Sequence, residues 1–140
     1  MHGELTLEQA TQRVEDNFRR VFAQLPAHAR AEKIAGDPAP CNEPSDGGPA
    51  GRVVASVDYR IHDLPPEHYG HLFDVLRAWW IDHRFTVLID ARPRGLYLWV
   101  ENAADGFRMA AQANEAGGLF LTSASPCVWP GNVSSDDQPR

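Results

Sequence analysis

The segment from Phe85 to Cys127 constrains this chain most, because strand-like runs alternate there with turn residues and leave only short connections. Phe85-Thr86-Val87-Leu88-Ile89 is β-branched and aromatic, which suits a pleated, partly buried strand. Asp90 to Gly95 follows, with Pro93 and Gly95 supplying turn geometry. Leu96, Leu98 and Val100 then alternate with Tyr97, Trp99 and Glu101. Asn102-Ala103-Ala104-Asp105-Gly106 is a hairpin signal, since Asp-Gly accepts positive φ at little cost. Phe107, Met109, Ala111 and Ala113 alternate with Arg108, Ala110, Gln112 and Asn114. After Gly117-Gly118, Leu119, Leu121 and Ser123 alternate with Phe120, Thr122 and Ala124. Connections this short force successive strands to be antiparallel. The segment therefore predicts a meander of four strands whose apolar face needs a cover.

Two helical patterns can supply it. Thr6-Leu7-Glu8-Gln9 fits a capping box, and Leu7, Ala10, Val14, Phe18, Val21, Phe22 and Leu25 recur at spacings of three and four up to Pro26. Pro65 and Pro66 open a second helix, whose stripe is Tyr69, Leu72, Phe73, Leu76, Trp79 and Trp80; His83 and Arg84 put positive charge at its C-terminal end. Between the helices, Val53, Ala55, Val57, Tyr59 and Ile61 alternate with Val54, Ser56, Asp58 and Arg60 as a half-buried strand. The expected fold is α+β: two helices packed on one face of a mostly antiparallel sheet of about five strands, in the order α-β-α-β-β-β-β. It forms a single domain over residues 1–130. Residues 27–51 read as a long Pro/Gly/Ala-rich loop carrying Cys41, with at most a short strand around Ala31 to Ala35. Residues 131–140 read as a disordered tail, and Asn132-Val133-Ser134 within it matches the glycosylation sequon.

The two cysteines leave two readings open. Each could be a free buried thiol. A disulfide between Cys41 and Cys127 would instead pin the long loop to the end of the sheet, close a loop of about 85 residues and contribute ~4 kcal/mol by restricting the unfolded chain. Both follow proline, in Pro40-Cys41 and Pro126-Cys127, and neither occupies an apolar helical or strand face where an inert core thiol belongs. That placement favours the disulfide, and with it a compartment outside the cytoplasm. Two cysteines alone do not make a zinc site.

The formal net charge of −6 argues against a nucleic-acid surface, which needs clustered positive charge. No apolar run approaches the ~20 residues of a membrane-spanning helix. Met1-His2-Gly3-Glu4 has neither the basic start nor the apolar run of a signal peptide, so a lipid anchor requires a longer native N-terminus. No nucleophile elbow, phosphate-cradling loop, Cys-x-x-Cys or zinc-protease motif occurs. The expectation is a protein without catalytic residues or cofactor. His62, Asp63, His68 and His71 form the one cluster that could gather on a metal, although the plain reading is polar residues on a helix's first turns. Asp58, Glu101 and Asp90 could meet across the sheet's open side, where carboxylates are ordinarily just solvated. Tyr97, Trp99 and Trp129 form a candidate recognition patch on the outer sheet face, to be weighed against simple coverage by a helix.

Asp105-Gly106-Phe107-Arg108-Met109, Gly118-Leu119-Phe120-Leu121 and Ser125-Pro126-Cys127-Val128-Trp129-Pro130, with Pro40-Cys41 upstream, resemble small uncharacterised actinobacterial secreted proteins and lipoproteins, loosely akin to the LppA-like lipoprotein family. The resemblance covers roughly Leu7 to Pro130 and is most specific at the Pro-Cys-Val-Trp-Pro ending. Such proteins ordinarily carry a signal peptide and a lipid-modified cysteine near the mature start, which this sequence does not display. The resemblance implies an envelope location and a shared fold, and it supplies no catalytic residues. The resulting expectation is an extracytoplasmic, non-enzymatic cell-envelope domain that binds an unknown protein or small ligand through its sheet face or through the Cys41 loop. The alternatives are a metal-dependent activity using His62, His68 and His71, and a cytosolic interaction or inhibitor protein.

Overall fold

The computed structural model describes residues 5–41 and 51–130. The expected tail over 131–140, its sequon, and the stretch 42–50 of the long loop lie outside the described residues. The order of elements is α1 (Leu7–Phe22), β1 (Arg30–Ala35), β2 (Ala39–Pro40), β3 (Val53–His62), a 3-10 turn (Pro66–His68), α2 (Tyr69–Asp82), β4 (Phe85–Asp90), β5 (Tyr97–Asn102), β6 (Arg108–Ala113) and β7 (Leu119–Val128).

The fold is α+β, as expected, with two helices and an antiparallel sheet. The sheet has seven strands rather than about five, in the order β1-β3-β7-β6-β5-β4, with β2 also paired to β3. The additional strands come from the long loop. β1 pairs with residues 58–62 of β3 and β2 with residues 53–54, on the same side of β3, so the two form one edge broken at Gly36-Asp37-Pro38. Its sequence hides it: Arg30, Glu32 and Lys33 place charge on both faces, as suits an exposed edge, and the period of two disappears. The meander β4-β5-β6-β7 forms as the short connections require, and β3 closes against β7.

Both helices lie on one face. Tyr59, Leu121, Ala111 and Leu98 are cross-strand neighbours on that face, as are Val57, Ser123, Met109 and Val100. Phe18 of α1 stacks on Tyr59, with ring centroids 3.7 Å apart, and the Ser123 hydroxyl donates to the Val14 carbonyl at 2.9 Å. From α2, the indole N–H of fully buried Trp80 points at the Met109 sulfur at 3.4 Å. Tyr69, Leu72, Phe73, Leu76 and Trp80 are all buried, and each such side chain contributes about 1.5–3 kcal/mol by leaving water.

Local chemistry sets the ends of these elements. Thr6 Oγ1 accepts from the Gln9 amide at 3.1 Å while the Thr6 amide donates to Gln9 Oε1 at 3.0 Å, which completes the capping box. The β5–β6 hairpin turns at Asp105-Gly106, with Gly106 at φ 78°, and Asp105 also takes a 2.6 Å ion pair from Arg13 of α1. β7 runs on through Pro126, which is tolerated because β6 has already ended opposite Ala124. The register between β3 and β7 slips at this point, and Ser125 Oγ accepts the Ala55 amide at 2.9 Å in place of a ladder carbonyl.

Candidate binding surface

The face opposite the helices is built from the alternate residues of β3 to β7. One cross-strand row runs Ile89, Trp99, Ala110, Thr122, Asp58, and the next runs Tyr97, Gln112, Phe120, Arg60, Glu32. Three half-buried rings therefore sit on a face that neither helix touches; α1 packs against β3 and β7, and α2 against β4 and β5, from the other side. Small Ala110 beside Trp99 leaves room for Arg108, whose guanidinium lies 5.3 Å above the indole. Arg60 lies 5.6 Å above the Phe120 ring in the same way.

Charges on this face are partnered across strands. Arg108 Nε donates to Glu101 at 2.9 Å, Thr122 Oγ1 donates to Asp58 at 2.6 Å, and His62 Nε2 is 2.7 Å from Glu32. Of the three carboxylates considered from sequence, Asp58 and Glu101 share this face. Asp90 does not, because an irregularity in β4 around Leu88 turns it toward the helices. There Arg92 holds it through bonds of 3.0 and 2.8 Å and also reaches Asp74 at 2.6 Å. Hydrogen bonding from Arg92 keeps the Asp90 carboxyl below its ordinary pKa, and the two carboxylates raise that of Arg92.

The other shifted groups are also structural. Burial, then the bond to Glu15 at 2.6 Å, pushes the Tyr59 phenol up to about 12. Burial alone would raise Glu15, but hydrogen bonds from Lys33 and Tyr59 outweigh it and leave the carboxyl below its usual value. Burial raises the Tyr69 phenol, whose hydroxyl donates to the Gly117 carbonyl at 2.8 Å. These groups join helix to sheet or strand to strand; none lies on the outer face.

The residues singled out from sequence are thus distributed over three places. Tyr97 and Trp99 stand together on the outer face. Trp129 is elsewhere, half-buried beyond the end of β7, where it bridges to Thr6 and borders a small hollow with Leu5, Arg52 and Pro126. It follows Thr122, the Trp99 row's member on β7, by seven positions, about 23 Å of strand. His62 lies on the outer face with Glu32, Asp63 pairs with Arg30 at 3.2 Å, and His68 and His71 are exposed near the start of α2. Among the described residues, no three His, Cys, Asp or Glu side chains are grouped to hold a metal. Phe120, Arg60 and Arg108 escaped the sequence reading, although strand alternation was the signal that could have found them; Ile89 shares the parity of buried Phe85 and reaches this face only through the irregularity in β4.

Cys41 and Cys127 are joined in a disulfide, with Cα atoms 6.0 Å apart. Cys41 leaves β2 on one side of β3, its amide donating to the Arg52 carbonyl at 2.9 Å, while Cys127 lies opposite Val54 on β3's other side. The bond therefore spans the start of β3. None of the helices among the described residues is long and apolar enough to cross a membrane. No protein-family model matches the chain, and no curated protein matches it significantly.

Proposed function

We propose that this chain is a non-enzymatic, extracytoplasmic binding domain of the cell envelope, lipoprotein-like in setting, which engages a protein or small ligand through the outer face of its sheet. The Cys41–Cys127 disulfide carries the reading, because such bonds persist in oxidising compartments and are rare where thiols are kept reduced. The choice of face is supported by Trp99, Tyr97 and Phe120, three rings on a layer to which no described helix contributes a cover. Ionisable groups with shifted pKa values are engaged in structural contacts on the helix side, which fits a binding role better than acid–base chemistry.

Three measurements test this. Thiol titration of the unfolded, unreduced protein from its native host should find no free thiol, and cell fractionation should place the protein with the envelope. Two free thiols in a cytosolic fraction would refute export and leave the cytosolic interaction reading. For the face, cross-linking in an envelope fraction should give an adduct that Trp99→Ala combined with Phe120→Ala abolishes; an adduct unchanged in that variant rules the face out.

A further inference from the structure

On the opposite side of the sheet, a groove of about 580 Å³ opens where the end of α1 meets the start of α2. It is a separate place from the aromatic face and independent of the reading given for it. Leu25, Leu64, Leu72 and Val75 make its walls apolar, and three imidazoles, His28, His68 and His71, stand exposed among its lining residues. Its size lies within the ~300–1,000 Å³ of small-molecule sites, and an apolar wall with a few polar groups is their usual composition. At ~30 Å³ per water-sized group, the volume accommodates on the order of 20 non-hydrogen atoms.

The polar part of the lining has one character. In a chain whose net charge is −6, no Asp or Glu among the described residues lines this groove. The three carboxylates adjacent to lining residues in sequence, Asp63, Glu67 and Asp74, are exposed outside the lining, and Asp63 and Asp74 are paired with Arg30 and Arg92. Gln24 and the imidazoles supply N–H donors, and nothing in the lining offers a cation a carboxylate partner. The three histidines are not a metal site, since among the described residues no such donors are grouped to hold one.

We infer that this groove binds a single-chain amphiphile, with its alkyl or acyl chain against Leu25, Leu64, Leu72 and Val75 and an anionic head at His28, His68 and His71. The apolar wall accounts for the tail, and imidazole N–H donors in a lining whose described residues include no carboxylate decide the head. Isothermal titration below the critical micelle concentration, with three probes sharing one twelve-carbon tail, tests it: dodecanoate, dodecyl maltoside and dodecyltrimethylammonium. The whole protein should bind dodecanoate saturably and at least 10-fold more tightly than the cationic probe, with the maltoside between them. Replacing all three exposed histidines (His28→Gln, His68→Gln, His71→Gln) should narrow that preference to within 3-fold while keeping binding of the maltoside. Val75→Lys, at a half-exposed wall position, should abolish binding of the maltoside and weaken that of dodecanoate. Absence of saturable dodecanoate binding, equal affinity for all three heads, or a preference unaltered by the triple replacement would each overturn the inference.

Discussion

Opening the Cys41–Cys127 bond is the perturbation with the largest calculable effect. The cysteines are 86 positions apart, so reduction releases a loop that contains β3, α2 and β4 to β6. In the chain-entropy treatment a loop of that length contributes about 4 to 5 kcal/mol at 25 °C, by restricting the unfolded chain. The folded state should lose little in comparison, because the Cys41 amide keeps its bond to Arg52 and Val54 still pairs with Cys127 across the ladder. The expected loss is a large part of the ~5–15 kcal/mol that holds a domain together. Urea unfolding followed by tryptophan fluorescence, with and without dithiothreitol, measures it. At a slope of about 2 kcal/mol/M, the midpoint should fall by roughly 2 M. The slope itself should rise, since the reduced unfolded chain is more expanded. Cys41→Ala combined with Cys127→Ala should reproduce the reduced curve. A midpoint change worth less than about 1 kcal/mol, at constant slope, would refute the idea that the tie acts on the unfolded chain.

Ser125→Ala should cost about 1–3 kcal/mol in thermal unfolding, because it orphans the buried Ala55 amide; Ser125→Thr, which keeps the hydroxyl, should recover most of that. Arg84 joins α2 to β4 at φ 74°, a left-handed conformation that penalises a side chain, so Arg84→Gly should stabilise by up to about 1 kcal/mol, and Arg84→Val should destabilise. Tyr59, raised to about 12, contributes stability fully present below its unfolded pKa of ~10 and lost as pH rises through the folded value. Urea midpoints from pH 8 to 12 should therefore fall more steeply in the parent than in Tyr59→Phe; parallel profiles would contradict the coupling. Glu15 has the opposite sign: its lowered pKa contributes stability present above the unfolded carboxylate value, about 4.3, and lost as pH falls through the folded one. Glu15→Gln should flatten the acid limb of the same measurement.

What the sequence discloses depends on whether a residue's role is periodic. Val14 and Phe18 of α1, or Leu98 and Val100 of β5, repeat at the spacing of their element because one side is buried, and that repetition is readable from the residues alone. β1 is held by its ladder to β3 with most of its side chains exposed, so Arg30-Ala31-Glu32-Lys33-Ile34-Ala35 carries no alternation to read. β2 exists through only two pairings, to Val53 and Val54. Cys127 looked irregular because Pro126 precedes it, yet it lies on a strand, since the partner that proline would have disrupted stops at Arg108. The helix-side groove had no sequence signature at all: residues 24–28 and 64–75 meet only once α1 and α2 share a face of the sheet.

Both described helices cover one face of the sheet, and neither covers the other. Tyr97, Trp99 and Phe120 are half-buried because cross-strand neighbours and two guanidinium groups crowd them; the helices are on the other side. Those guanidinium groups are not idle counter-charges. Arg108 is already bonded to Glu101 while lying over Trp99, so a partner that stacks on the indole must either displace the arginine from the ring or seat around it. Displacement sacrifices a cation–π contact worth about 0.5–1 kcal/mol at an exposed site, which is small beside the apolar area a planar or aliphatic group would bury there. Seating around it keeps the Arg108–Glu101 pair intact at the rim, where an ion pair costs little to retain. Either way, under the binding role proposed for this face, the rings would supply the affinity and the arginines would set the approach, so removing Trp99 should weaken binding more than removing Arg108.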